Sequence, residues 1–219
     1  MTCVTNETIV LIHGLHRTCA SMWPLAVAAK RRGYRVINWC YPSRRRTIEE
    51  HAEAFATEVA PRLATTHRVH FITHSLGGII VRRFLATHAL PNVGHVVMLA
   101  PPNGGSEVAD RLGRIALLRK VTGKPVRQLG TGAGSVPNTL PRATFPVGII
   151  AGSRSNNPLF GKWIAEPNDG KVSVSRTRLE GMRAHLVLRR THTFLPWAPD
   201  AIGEALRFVE CGAFGGGER

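Results

Sequence analysis

Three residues in this chain have the types and order needed for nucleophilic chemistry: Ser75, Asp169 and His192. Ser75 lies in Thr73-His74-Ser75-Leu76-Gly77-Gly78, between the apolar run Val69–Ile72 and a helix-spaced segment, Leu76–Leu90, that Pro91 closes. A serine hydroxyl becomes a useful nucleophile when a base is held beside it. A sharp strand-to-helix elbow exposes such a serine on strained backbone angles, and the small residues around it let strand and helix approach closely. The following helix also points its N-terminal dipole at the serine, which favours developing negative charge. Thr73 stands where the G-x-S-x-G form of this turn has its first glycine. Read alone, the segment also fits an ordinary Ser-Leu-Gly-Gly helix start.

Acyl transfer needs two donors aimed at the carbonyl oxygen as it becomes an oxyanion. The residue after the nucleophile supplies one, the backbone N–H of Leu76. His13-Gly14-Leu15 ends the apolar run Ile9–Ile12, and Leu15 N–H is the expected second donor, with Gly14 giving the backbone freedom to turn. In hydrolases built on such an elbow the acid follows the serine and the histidine follows the acid. Asp200 lies after every credible histidine, and Asp110 falls inside a helical segment, where it reads as a surface charge. Asp169, in Glu166-Pro167-Asn168-Asp169-Gly170, follows the apolar run Phe145–Ala151 and is the expected acid, with Glu166 the alternative. His192 follows the run Ala184–Leu188 and is the expected base, whereas His185 starts that run, at the wrong end. His13, Gly14, His16, His74 and Pro102 are candidate pocket-lining residues.

These residues must be positioned by strands that end beside one another. Ile9–Ile12, Tyr34–Trp39, Val69–Ile72, Val93–Leu99, Phe145–Ala151 and Ala184–Leu188 read as short strands, several of them wholly apolar and so buried on both faces. Helical segments alternate with them: Met22–Arg32, stopped by Gly33; a segment opened by Thr47 with Glu50 three residues on, a capping-box pattern; Leu76–Leu90; about 106–120; and Pro199–Glu210. This alternation predicts a three-layer α/β fold with a mostly parallel central sheet. Chemistry in such folds sits at the carboxyl ends of the strands. One domain is expected over residues 1–214, with a short cap-like insertion at about 104–144 and a flexible tail at 215–219.

Composition narrows the function classes. A chain of 219 residues with 43% hydrophobic residues can bury a sizeable core without disulfides. Cys3, Cys19, Cys40 and Cys211 are scattered without metal-like spacing, and free thiols are expected. No residue pattern calls for a metal or cofactor, and no glycine fingerprint for dinucleotides follows any strand. The net charge of +15 comes from arginine-rich clusters such as Arg44-Arg45-Arg46. Without interleaved aromatics or a single basic stripe, the charge reads first as a solvated surface and does not predict specific nucleic-acid binding. Neither a signal-like leader nor a membrane-spanning run is visible, so a cytoplasmic protein is expected.

The motifs Val10-Leu11-Ile12-His13-Gly14, Thr73-His74-Ser75-Leu76-Gly77-Gly78 and Pro167-Asn168-Asp169-Gly170-Lys171-Val172 resemble the small bacterial lipase/esterase branch of the α/β-hydrolase superfamily. Tyr41-Pro42-Ser43 and Ala100-Pro101-Pro102-Asn103-Gly104-Gly105-Ser106 fit the same branch. The resemblance implies carboxylic-ester hydrolysis through an acyl-enzyme, with Ser75, Asp169 and His192 as nucleophile, acid and base. Some lipases of this kind hold a calcium with an aspartate just after the catalytic histidine. Thr193 and Phe194 stand there, so no calcium is expected. Leu112, Ile115, Leu118 and Val121 have the spacing for one apolar face of a modest cap, and Phe160 and Trp163 fit either the wall of an acyl pocket or core packing. A short cap points to a small ester with a short or medium acyl chain. The rival readings are a lipase, phospholipase or thioesterase drawn peripherally to anionic membrane by its basic surface, and a catalytically silent scaffold or binding protein of the same fold.

Overall fold

In the computed structural model residues 6–114, 122–156 and 163–216 are described. Six strands form one sheet: β1 (Glu7–Ile12), β2 (Arg35–Trp39), β3 (Arg68–His74), β4 (Val93–Leu99), β5 (Val147–Gly152) and β6 (Ala184–Leu188). Their order is β2-β1-β3-β4-β5-β6, and every pairing is parallel, where a mostly parallel sheet was expected. The apolar runs explain this arrangement. β1, β3, β4 and β5 are inner strands with helices on both faces, so both alternating sets of side chains are buried.

One core layer joins Val10, Ile12, Phe71 and Val96 to the helices α2 (Ile48–Glu58) and α3 (Leu76–Thr87). The other joins Ile9, Leu11, Ile72 and Val97 to α1 (Trp23–Arg31) and the C-terminal helix Pro199–Cys211. The helix signals behave as the sequence predicts. Gly33 adopts φ 87° just past α1. The Thr47 side chain accepts from Glu50 N–H while the Glu50 carboxylate accepts from Thr47 N–H, completing the capping box.

Between β4 and β5 lie α4 (Glu107–Arg114), a 3-10 turn at Lys124–Gln128 and a helical turn at Val136–Thr139. The helix expected to reach about residue 120 is described to Arg114. Ile115, Leu118, Val121, Phe160 and Cys3 lie outside the described residues, as does the end of the tail, 217–219. Arg82 ties this insertion to the sheet. Its buried guanidinium donates to Asn103 Oδ1 (3.1 Å), Leu140 O (3.2 Å) and Pro141 O (3.3 Å).

The cysteines correct the sequence reading, because Cys19 and Cys40 form a disulfide. Cys40 directly follows β2 and Cys19 lies beyond the end of β1. Since β1 and β2 are adjacent parallel strands, their outgoing loops run side by side and bring the two Cα atoms to 4.8 Å. Cys211 is free and exposed.

Candidate active site

Strand β3 passes into α3 through Ser75, whose φ of 52° and ψ of −119° are rare for a residue with a side chain. The turn is held from both sides. Ser75 N–H donates to Leu99 O on β4 (2.9 Å), and Gly78 N–H donates to Ser75 O (2.9 Å). Gly77 is where helix meets strand, since a Cβ there would run into the Ile12 carbonyl oxygen. Thr73 is fully buried, with its hydroxyl 3.4 Å from Val97 O, so the elbow accommodates a side chain where glycine is usual.

Asp169 and His192 meet at the carboxyl ends of β5 and β6. His192 Nδ1 lies 2.7 Å from Asp169 Oδ2, and both side chains are buried. The other carboxylate oxygen accepts from Lys171 N–H (2.9 Å) and Val172 N–H (2.8 Å). The carboxylate therefore has one oxygen fixed by the backbone and one left for the imidazole. The Asn168-Asp169-Gly170 turn is closed by Gly170 N–H donating to Asn168 Oδ1 (2.9 Å), with Gly170 at φ 94°. His192 N–H also donates to Asp169 O (3.1 Å), so backbone and side chain lock the pair together. Glu166 is exposed and takes no part.

The loop after β1 passes close to the elbow. A Cβ on Gly14 would lie 3.0 Å from His74 Nδ1 and 3.1 Å from the Ser75 Cβ, so a larger residue would push the loop off the serine. Tyr41, just beyond β2, braces this loop. Its hydroxyl donates to His13 O (2.6 Å), and its ring stacks on His13 at 4.2 Å between centroids. Full burial pushes the Tyr41 hydroxyl pKa up, so it remains a donor.

Ser75, His192 and the loop converge on one cavity of about 270 Å³. Leu15, His16, His74 and Pro102 line it. His13 and Gly14 are corrections to the expected lining. Both sit behind the wall, His13 fully buried against Tyr41 and Gly14 packed on the elbow. Val108, Ala109 and Leu112 of α4, with Val126 and Leu129, make the opposite, apolar wall. Trp163 belongs to neither wall, and its ring instead lies 4.9 Å from the Arg111 guanidinium. Asp110, read as a surface charge, accepts from the Thr131 hydroxyl (2.7 Å) and backbone N–H, bracing the loop after the 3-10 turn. His185 bonds Thr177 Oγ1 (2.8 Å), away from the cavity.

His74 was read as one of several scattered histidines, and the fold gives it a specific job. Its Nε2 lies 3.0 Å from His192 O, so Nε2 carries the proton and donates to that carbonyl. Burial first, and then the His192 and Lys171 charges, hold its pKa well below the usual value. It is a neutral prop under the His192 backbone. Among the polar and charged cavity residues, the sequence reading missed Arg17, Ser106, Thr122 and Lys171. Ser106 Oγ donates to Lys171 O (2.7 Å), pinning the Asp169 turn to the start of the insertion. Nothing in residue spacing links positions 17, 106 and 171. Among the described residues no group of three or more His, Cys, Asp or Glu could hold a metal ion.

The sheet order and this strand-end site define an α/β-hydrolase architecture. An alpha/beta hydrolase family model matches residues 9–209, and the chain belongs to that family. Among solved structures it is similar to a Bacillus licheniformis lipase, BlEst2, in mature form, at 20% identity and TM-score 0.70, covering 85% of this chain and 84% of that one. It is also similar to a metagenomic carboxyl esterase at 22% identity and TM-score 0.73, covering 95% and 77%. Phospholipase PlaB from Legionella pneumophila matches at 20% identity and TM-score 0.60 over 85% of this chain, which spans only 53% of that larger one. No curated protein sequence matches significantly.

Proposed function

We propose that this chain is a serine carboxylic-ester hydrolase that works through an acyl-enzyme on esters with short or medium acyl chains. The observation that carries the reading is the buried 2.7 Å Asp169–His192 pair, whose histidine lines one cavity with a serine held at φ 52°. Asp169 fixes the proton on His192 Nδ1, leaving Nε2 free to act as base. His192 takes the Ser75 proton as Oγ bonds to the ester carbonyl carbon. The resulting oxyanion rests on the amides of Leu15 and Leu76. Leu76 is the first residue of α3, so its N–H has no partner within the helix. The intermediate collapses, the C–O bond breaks, and His192 returns the proton to the departing alcohol. Water, deprotonated by the same imidazole, then releases the acid and restores Ser75.

The cavity's volume of about 270 Å³ supports the chain-length assignment, since it falls just below the range of ligand pockets, which run from about 300 to 1,000 Å³. Ser75 labelling by a fluorophosphonate, beside an acyl-length series on nitrophenyl esters with Ser75→Ala as control, tests the reading. Labelling of Ser75 and turnover peaking at short to medium chains are expected. Absence of an adduct would leave a silent member of the family.

A second reading, a lipase or phospholipase working at an anionic membrane, is favoured by one surface feature. Trp23, Phe194 and Trp197 are 62%, 62% and 53% exposed, and the turns Cys19–Met22 and Leu195–Trp197 pack together beside the site. Aromatic rings of this kind partition into headgroup regions. Turnover accelerated by anionic vesicles at low salt, with Trp197→Ala losing that acceleration, would favour it.

A further inference from the structure

The two walls of the cavity differ in character. The insertion wall is apolar. The wall from the β1 loop and the Asp169 turn carries Arg17 and Lys171, and no Asp or Glu lines this cavity among the described residues. Arg17 also lines the neighbouring groove of Arg44 and Arg45, which has no carboxylate among the described residues. Arg17, Lys171, Arg44 and Arg45 form no ion pair among the described residues, whereas Arg32, Arg46 and Arg190 each hold a carboxylate. Asp169, two residues before Lys171, has both oxygens committed to His192 and to backbone amides.

Reaction geometry says which part of a substrate meets these cations. His192 must deliver a proton to the departing oxygen, so the alcohol side of the ester lies towards His192. Lys171 lines both the cavity and the hollow formed by Asp169, His192, Thr193 and Phe194, in which the Asp169 carboxylate is already committed to His192 and the backbone amides. The acyl chain is left to the apolar wall. We propose, resting on the ester-hydrolase reading, that Arg17 and Lys171 form an anion subsite, and that the favoured ester carries an oxyanion, a phosphate or a carboxylate, on its alcohol moiety. Burial, reinforced by the Arg17 charge, already pushes the Lys171 ammonium pKa down. A half-buried cation without a counter-ion is costly, and an arriving oxyanion offsets that cost with charge-assisted hydrogen bonds.

The test compares soluble esters sharing one acyl group: 1-butyryl-glycerol 3-phosphate, the butyrate ester of lactate, and neutral monobutyrin. A kcat/KM preference for one or both anionic esters of about tenfold or more at low salt is expected, matching one charge-assisted bond. In Arg17→Gln and Lys171→Gln that preference collapses. The phosphate and lactate arms show which oxyanion is preferred. Turnover of all three esters at equal rates, or a preference unchanged in both variants, overturns the subsite and leaves the hydrolase reading standing. Calorimetric titration of glycerol 3-phosphate into the wild type and Arg17→Gln separates the two claims. Arg17-dependent binding without hydrolysis of any ester keeps the subsite and overturns the hydrolase reading, and neither binding nor hydrolysis overturns both.

Discussion

At the scale of single residues, Asp169 makes the sharpest prediction. Two backbone amides hold one of its oxygens, so in Asp169→Asn they select the amide carbonyl and turn the NH2 towards His192 Nδ1. The imidazole must then accept at Nδ1 and carry its proton on Nε2, facing Ser75, where it cannot act as a base. If the chain is the serine hydrolase proposed, kcat falls about 10⁴-fold with an unchanged melting temperature, measurable with any turned-over nitrophenyl ester. Ser75 itself was legible from Gly77 and Gly78 downstream and the apolar strand upstream. Thr73 was the discordant residue, and the structure shows why it is tolerated: its side chain fits between β3 and β4 without disturbing the elbow.

At the scale of elements, the strand and helix order was readable because most strands are short, largely apolar runs, several of them closely followed by Gly or Pro as at Gly14, Pro42 and Pro101. β4 and β6 have the expected bounds. The insertion between β4 and β5 was not readable, since its Gly- and Pro-rich stretch carries no period and its conformation is set by tertiary anchors. Arg82 is the chief of these. Arg82→Leu would leave the Asn103 side chain and the Leu140 and Pro141 carbonyls without their donor. It is expected to destabilise the chain by about 3 kcal/mol, within the range for breaking a buried network, read from urea unfolding. Because the insertion forms the apolar cavity wall, ester turnover should fall in the same variant.

The whole molecule carries two features that bear on stability. Burial lowers the pKa of His13, His51 and His74, that of His51 to about 4 from its usual 6.5. An unfolded chain thus binds protons that the folded chain refuses. The associated stability is fully present above pH 6.5 and is lost as pH falls towards 4, roughly 3 kcal/mol from His51 alone. Urea midpoints should drop across that window, and His51→Phe should flatten the slope. The Cys19–Cys40 bridge closes a loop of 21 residues in sequence separation. Its reduction should cost about 3 kcal/mol, seen as a lower melting temperature in dithiothreitol. Such bridges persist in oxidising compartments and are rare in the reducing cytosol, which weighs against the cytoplasmic expectation. No described helix is long and apolar enough to cross a membrane.

The amino-acid order by itself determined the alternating α/β layout and placed Ser75, Asp169 and His192 after strands β3, β5 and β6, because periodicity and turn chemistry are local and act within a few residues. Tertiary structure decided what distance along the chain conceals. It paired Cys19 with Cys40, moved His13 behind the cavity wall, set His74 under His192, and placed Arg17 beside Lys171. Those relations arise only when parallel strands lie side by side and their outgoing loops share one edge of the sheet.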